Sequence, residues 1–569
     1  MRNYILIGLS IFFCPAYGQF FPNKNYPQHY FRDPLAIPIS LAANFGELRA
    51  NHYHMGLDIR TNKRENLPVF AAADGYIARI KIEPFGFGQA IYINHPNGFT
   101  TVYAHLNAFF PALAAYVKAE QYKSESWKQM ISVPPGRFPV KQGDLIAYSG
   151  NTGGSEGPHL HFEIRRTSDD VNLNPLLFGM PVPDNTEPTI QKLAIYDLSK
   201  SIYEQWPQII PVQKSANGYT LDKDILTTNN QRVGFAISAF DTQSGSSNPN
   251  GIYESMVYDN DRPLIAFQLD EISYSNTRNV NAHIDYGTKA RGGPYLQQLF
   301  LLLGYRHSIY GLTVGNGSID LSDGSAHAVR ILAKDAQGNE TDLDFKIQYF
   351  QSTPSLPQPP ISGRNFYPGM IDGFESTDCA FYLGESSLYD SAHIQYANRP
   401  STSPAAVSMI HSIGSIRIPI QDSLTVRIRS NLDLTEDRKS RVVMQQSAGT
   451  RSEIQRVEWL ENWATARFRE FGDFQLIEDN EPPVISAGFK DGARLTNASR
   501  IAIHVRDNLG EIGRFRAELD GKWLLFSNDK ERAFIYKFDE HCSRGKHQLK
   551  ITARDEAGNS ASKTFTFVR

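Results

Sequence analysis

The run His327-Ala-Val-Arg-Ile-Leu-Ala-Lys-Asp335-Ala-Gln-Gly338-Asn339 recurs without a gap as His547-Gln-Leu-Lys-Ile-Thr-Ala-Arg-Asp555-Glu-Ala-Gly558-Asn559. In both copies apolar residues alternate with polar ones and run into an Asp-x-x-Gly-Asn turn. That is the period of a half-buried strand entering a hairpin. The starts of the two units also match: Asp184-Asn185-Thr186-Glu187-Pro188 precedes Ile190, and Asp479-Asn480-Glu481-Pro482-Pro483 precedes Val484-Ile485. A repeated unit of this kind constrains the chain to a series of β modules, each with its own core. A length of 569 residues is too great for a single core and fits several domains.

The expected division is a leader at 1–18, a first domain at 19–182, and β-sandwich modules of immunoglobulin-like (Ig-like) type at 183–350, 351–478 and 479–569. The module at 351–478 opens on a linker bearing Pro354, Pro357, Pro359 and Pro360. Within it Ser415–Ile420 and Leu424–Ile428 alternate like strands, and Phe471–Leu476 is expected to close the module. The leader has Arg2, an apolar stretch from Tyr4 to Phe13 and Ala16-Tyr17-Gly18 as a small-x-small cleavage site. Its apolar run is too short to span a bilayer. An exported protein of the periplasm, the cell envelope or the extracellular space is expected, with no transmembrane segment in the mature chain. Cys379 and Cys542 fall in different modules, so no disulfide framework is expected. The net charge of -3 offers no electrostatic case for nucleic acid.

Residues 30–180 alternate short apolar segments with Gly, Pro and Asn turns, as in Gly75–Ile80, Ala90–Ile93 and Thr100–Ala104. His95-Pro96-Asn97-Gly98 is a hairpin turn with a solvent-facing histidine. Between Pro111 and Ile131 the period becomes helical, which predicts an insertion over about 107–139. Six histidines fall within 50–165, and four of them, with Asp58, carry the chemistry. His54-Met55-Gly56-Leu57-Asp58 offers an imidazole and a carboxylate four apart, and Gly56 lets the backbone bend between them. His159 and His161 are two apart on a strand and project from one face. A catalytic zinc takes three ligands from His, Asp or Glu, leaving a fourth position for water whose pKa it lowers towards about 7. His105, ending the strand at Tyr103-Ala104, is the natural extra imidazole beside His159.

This series resembles the LytM/lysostaphin-type zinc endopeptidases, peptidase family M23, over about residues 40–178. The resemblance rests on His54-Met-Gly-Leu-Asp58, Val69-Phe-Ala-Ala-Ala-Asp-Gly75, Gly86-Phe-Gly88, His95-Pro-Asn-Gly98, Tyr103-Ala-His-Leu106, Val140-Lys-Gln-Gly-Asp144, Ser149-Gly-Asn-Thr-Gly153 and Gly157-Pro-His-Leu-His-Phe-Glu163. It implies His54, Asp58 and His161 as ligands of one Zn2+, and His105 and His159 as the catalytic pair. It further implies a compact antiparallel β domain and a substrate in the peptides of bacterial peptidoglycan. The β modules are then expected to hold the enzyme on the wall or to contact envelope proteins.

His52 is read as structural, because only His54 has Gly two and Asp four residues later. The alternative function is a non-catalytic wall-binding or hydrolase-activating protein of the same fold. It calls for loss of one of the five residues, and all are present. Asp335, Asn339, Asp555 and Asn559 lack EF-hand spacing and are read as turn residues. The glycines of 150–157 are read as bends at the cleft rim. His327 and His547 are read as structural.

Overall fold

The computed structural model describes residues 21–22, 24–216, 218–305, 309–311, 313–351, 362–510 and 512–569. The 1–18 leader and the prolines of the 354–360 linker lie outside these residues. The chain is mainly β, a peptidase-like domain followed by β-sheet modules. Among the described residues no helix is long and apolar enough to cross a membrane.

The first domain is built on an antiparallel sheet whose path runs Leu41–Ala43, Leu57–Arg60, His159–Arg166, Phe99–Ala104, Gln89–Asn94, Gly75–Ile82, Gln129–Ser132. Strand alternation explains the use of its faces. Leu160, Phe162 and Ile164 enter a core with Ile59, Ile77, Ile93 and Tyr103, so His159, His161, Glu163 and Arg165 take the opposite face. Only one helical element forms in the insertion, Pro111–Ser124, with Leu113 and Val117 buried. The following Gln129–Ser132 is a strand paired with Gly75–Ile82, so Trp127 onward is not helical. Residues 107–139 do not line the groove described below. The helix faces the last module instead: Lys118 pairs with Asp539 and Glu540, and Tyr122 stacks on His541 at 3.9 Å.

After residue 183, two sheets enclose one core in which Leu193, Phe235 and Ile237 face Val257, Ile331 and Leu343. That core also takes in Phe45, Tyr53 and Met55 from the first domain. The next module packs Phe381 and Val426 from one sheet against Met444 and Phe474 from another, with Cys379 buried there. In it Leu424–Arg429 is a strand, but Ser415–Ile420 is not. Ile418 and Ile420 reach the core from an irregular turn, which imitates alternation. The last module sets Ile485, Ile501 and Tyr536 against Leu549, Ile551 and Phe567. The repeated strands occupy matching places, as Ala326–Lys334 and Lys546–Asp555, each paired with the strand after its turn. His327 and His547 lie against Asp259 and Asp520, at 2.8 and 2.7 Å.

Candidate active site

The strand His159–Arg166 lies between Leu57–Arg60 and Phe99–Ala104, with His161 opposite Asp58 on one side and Ala104 on the other. Gly56 allows this closeness. A Cβ there would stand 2.4 Å from the carbonyl of Phe162 and 3.0 Å from His161 Nε2. The glycine therefore serves close approach as well as bending. His105 follows its strand in the left-handed region, φ 59°, so the backbone leaves the strand conformation at this residue.

These placements bring three donor atoms together. His54 Nε2 is 2.9 Å from Asp58 Oδ1, His161 Nδ1 is 2.8 Å from the same oxygen, and the two nitrogens are 3.1 Å apart. Zinc with ligands at 2.0–2.2 Å in a tetrahedron spaces its donors about 3.3 Å apart. Two imidazoles and a carboxylate, all buried and at this spacing, fit that ion. His159 Nε2 approaches Asp58 Oδ1 at 3.4 Å, and the His105 and His159 rings lie 4.7 Å apart. All five residues singled out in the sequence thus share one cluster.

The partners on the far edges fix each ring. His54 Nδ1 lies 2.7 Å from the carbonyl of Asn44, His105 Nδ1 2.8 Å from that of Thr152, and His159 Nδ1 2.8 Å from that of Gly157. A carbonyl only accepts, so each Nδ1 carries the proton and Nε2 is left as the lone pair. His161 is reversed: its Nε2 faces Glu163 Oε1 at 2.9 Å. Glu163 also accepts from Tyr274 Oη at 2.7 Å and pairs with Arg165. Burial favours its neutral form, but Arg165, His161 and Tyr274 outweigh that and hold it down to about 2. For Asp58, burial is likewise outweighed by His54, His159 and His161, which keep it well below the usual carboxylate range. Burial pushes His105 down to about 3, with His161 and His159 adding to the fall, so it is neutral near pH 7.

Glu163, Arg165, Tyr274, Asn44 and Arg49, which donates to Asp58 Oδ2 at 2.9 Å, carry no assignment in the sequence reading. Glu163 was legible from its period-two spacing after His161. Tyr274, in the next module, left no signal. His95 is not solvent-facing. It is buried, with Nδ1 2.8 Å from the carbonyl of Asp74 and Nε2 2.8 Å from Thr101 Oγ1, and so it pins its turn. His52 is exposed on the rim, 2.9 Å from the carbonyl of Ala50.

The cluster opens on a groove of about 1040 Å³ with Arg49, Arg60, Lys63, Lys81, Glu83 and Glu156 on its walls. One rim is buttressed by the last module: Asp529 Oδ1 accepts from Gly153 N at 2.8 Å, and Lys530 Nζ reaches Asn151 Oδ1 and the carbonyl of Ser155.

The profile of Peptidase family M23 matches residues 52–124 and 127–175, which span all five residues. This stretch is an M23-type peptidase domain. Over 134 residues the chain is 34% identical to the DD-carboxypeptidase/endopeptidase Mpg of Neisseria meningitidis serogroup B, covering 24% of each protein. It is 31% identical over 114 residues to the peptidoglycan DD-endopeptidase ShyC of Vibrio cholerae, covering 20% of each. The chain thus spans about a quarter or less of the length of these relatives. The M23 domain also aligns with the catalytic domain of the M23 protein EnpA from Enterococcus faecalis, at 20% identity and a TM-score of 0.20, covering 26% of this chain and 98% of that one. Beyond the M23 domain, the profile of a Zu5-like domain matches residues 371–479.

Proposed function

We propose that the chain is an exported zinc-dependent endopeptidase acting on the stem or cross-link peptides of bacterial peptidoglycan. The observation that carries this reading is the convergence of His54, Asp58 and His161 within 3.1 Å beside His105 and His159. In this reading His54 Nε2, Asp58 Oδ1 and His161 Nδ1 hold the metal. Zinc in such a site supplies Lewis acidity, polarising a carbonyl and acidifying water. His105 and His159 each keep a proton on Nδ1 through a backbone carbonyl. Their Nε2 atoms are therefore free to take a proton from the attacking water and to return it to the departing amine. Arg60 and Lys63 on the walls, which form no ion pair among the described residues, suit a peptide bearing free carboxylates. Peptidoglycan enters through the endopeptidase relatives, and export through the composition of the 1–18 leader. The domain limits 19–182, 183–350, 351–478 and 479–569, with the later modules as wall-positioning or protein-contacting units of Ig-like type, belong to the same proposal.

The test is incubation of the mature protein with purified peptidoglycan, followed by mass analysis of the fragments. Cleaved peptide bonds, lost on chelation and restored by zinc, are expected. A zinc-loaded protein that binds the sacculus and releases no fragment would favour the non-catalytic reading instead.

A further inference from the structure

The turn reading of Asp335 and Asp555 accounts for only part of what surrounds them. Asp335 Oδ1 accepts from the backbone N–H groups of Gln337, Gly338 and Asn339, and Asp555 Oδ1 from those of Gly558 and Asn559. Turn chemistry explains those bonds. It does not explain why each turn meets two further carboxylates from distant segments. Asp184 and Asp241 converge with Asp335, and Asp479 and Asp507 converge with Asp555, each set with ligand oxygens within 4.8 Å of one another.

The two clusters are built alike. The first carboxylate stands in the linker entering the module, at Asp184 or Asp479. The second ends or follows an early strand, at Asp241 in Arg232–Thr242 or Asp507 after Arg500–Arg506. The third opens the repeated turn. An asparagine ties first to third in both: Asn339 Nδ2 donates to Asp335 Oδ2 and the carbonyl of Asp184, and Asn559 Nδ2 to Asp555 Oδ2 and the carbonyl of Asp479.

Neither cluster is neutralised by protein. Among the described residues no Lys, Arg or His forms an ion pair with any of the six. Asp241 is 5% exposed and its Oδ1 has no hydrogen-bond donor. Asp479 is 2% exposed with Oδ2 likewise without one, and Asp507, in the same cluster, has its Oδ1 buried without a donor. A buried carboxylate oxygen without a donor is costly to keep, unless something absent from the chain satisfies it. Burial and the neighbouring Asp184 and Asp335 push Asp241 up to about 7. Burial, Asp479 and Asp555 raise Asp507 too.

We propose that each cluster binds one Ca2+ ion, which clamps the linker entering the module to the turn that closes its sheet. Donors that are all oxygen, three of them carboxylates from separate segments, suit a hard cation with flexible coordination and do not suit zinc. The first site also reaches towards the M23 domain. After Asp241, Gln243 exchanges hydrogen bonds with Leu41 N and the carbonyl of Ile39, and Gly251 N donates to Asn44 Oδ1. Asn44 in turn holds His54 through its carbonyl.

Calorimetric titration of the zinc-loaded full chain with CaCl2 in calcium-free buffer tests this. Two equivalents are expected for the wild type, at affinities that fill the sites near about 1 mM calcium or below, together with a rise in Tm. Asp241→Asn and Asp507→Asn should each lose one equivalent, and the double variant both. Both substitutions are isosteric and remove a buried like charge, so without calcium each variant should melt at or above the wild type. Should either fail to fold, Asp184→Asn and Asp479→Asn serve the same count. A wild type that takes up no calcium, or a stoichiometry unchanged by these substitutions, would overturn the proposal.

Discussion

Glu163 Oε1 stands 2.9 Å from His161 Nε2, on the edge of the imidazole opposite to Asp58. The carboxylate holds the ring proton on Nε2 and leaves Nδ1 for a metal. Glu163→Gln keeps the shape but removes the charge that Arg165 and Tyr274 stabilise. Zinc affinity, measured by competition with a chromophoric chelator, should fall about 10- to 100-fold. Unaltered affinity would remove Glu163 from the metal site.

Ligands and proton carriers should separate on substitution. His161→Ala is expected to lose both zinc and activity. His105→Ala and His159→Ala should retain zinc, counted by atomic absorption, while kcat falls about 10²- to 10⁴-fold. Full zinc occupancy in His161→Ala would overturn the ligand assignment.

The module after residue 183 is part of the site. Tyr53 and Met55 flank His54 in sequence and are 1% and 3% exposed within that module's core, and Tyr274 bonds Glu163. Removing residues 183–569 exposes both side chains, at about 1.5–3 kcal/mol each. The fragment 19–182 should therefore aggregate or bind zinc weakly, as gel filtration and zinc titration would reveal. A soluble fragment of full zinc affinity would contradict this. Tyr274→Phe is the milder test, with a several-fold loss of zinc affinity expected in an otherwise folded chain.

His283 gives a pH dependence away from the metal site. It is wholly buried between Tyr310 Oη at 3.0 Å and Gln297 Nε2 at 3.3 Å, and burial pushes it down to about 3. In the unfolded chain it takes a proton near pH 6.5. Between about pH 6.5 and 3 the unfolded state therefore binds a proton that the folded state refuses. Stability is unaffected above that window and falls on acidification within it, by up to about 1.4 kcal/mol per pH unit. His283→Gln should flatten the urea-midpoint profile from pH 6.5 to 4.5. A parallel profile would show that His283 is not the group responsible.

The sequence by itself determined what depends on near neighbours. Period-two alternation put His159 and His161 on one face opposite Leu160 and Phe162, and the Asp-x-x-Gly-Asn turns fell where the repeat set them. The four-residue spacing marked His54 and Asp58 as a pair, and Gly56 between them as the point where the backbone could bend. Only the tertiary structure decided the rest. Ser415–Ile420 alternates like a strand yet is an irregular turn, since the pairing partners that make a strand lie elsewhere in the chain. His95 looked exposed in a polar turn and is buried, because Asp74 and Thr101 close over it. Tyr274 meets Glu163 across 111 residues, and the aspartates of each cluster come from three separate segments. Periodicity records which face a side chain takes, through local backbone stereochemistry. Which distant groups share that face is set by how whole sheets pack, and no local pattern encodes it.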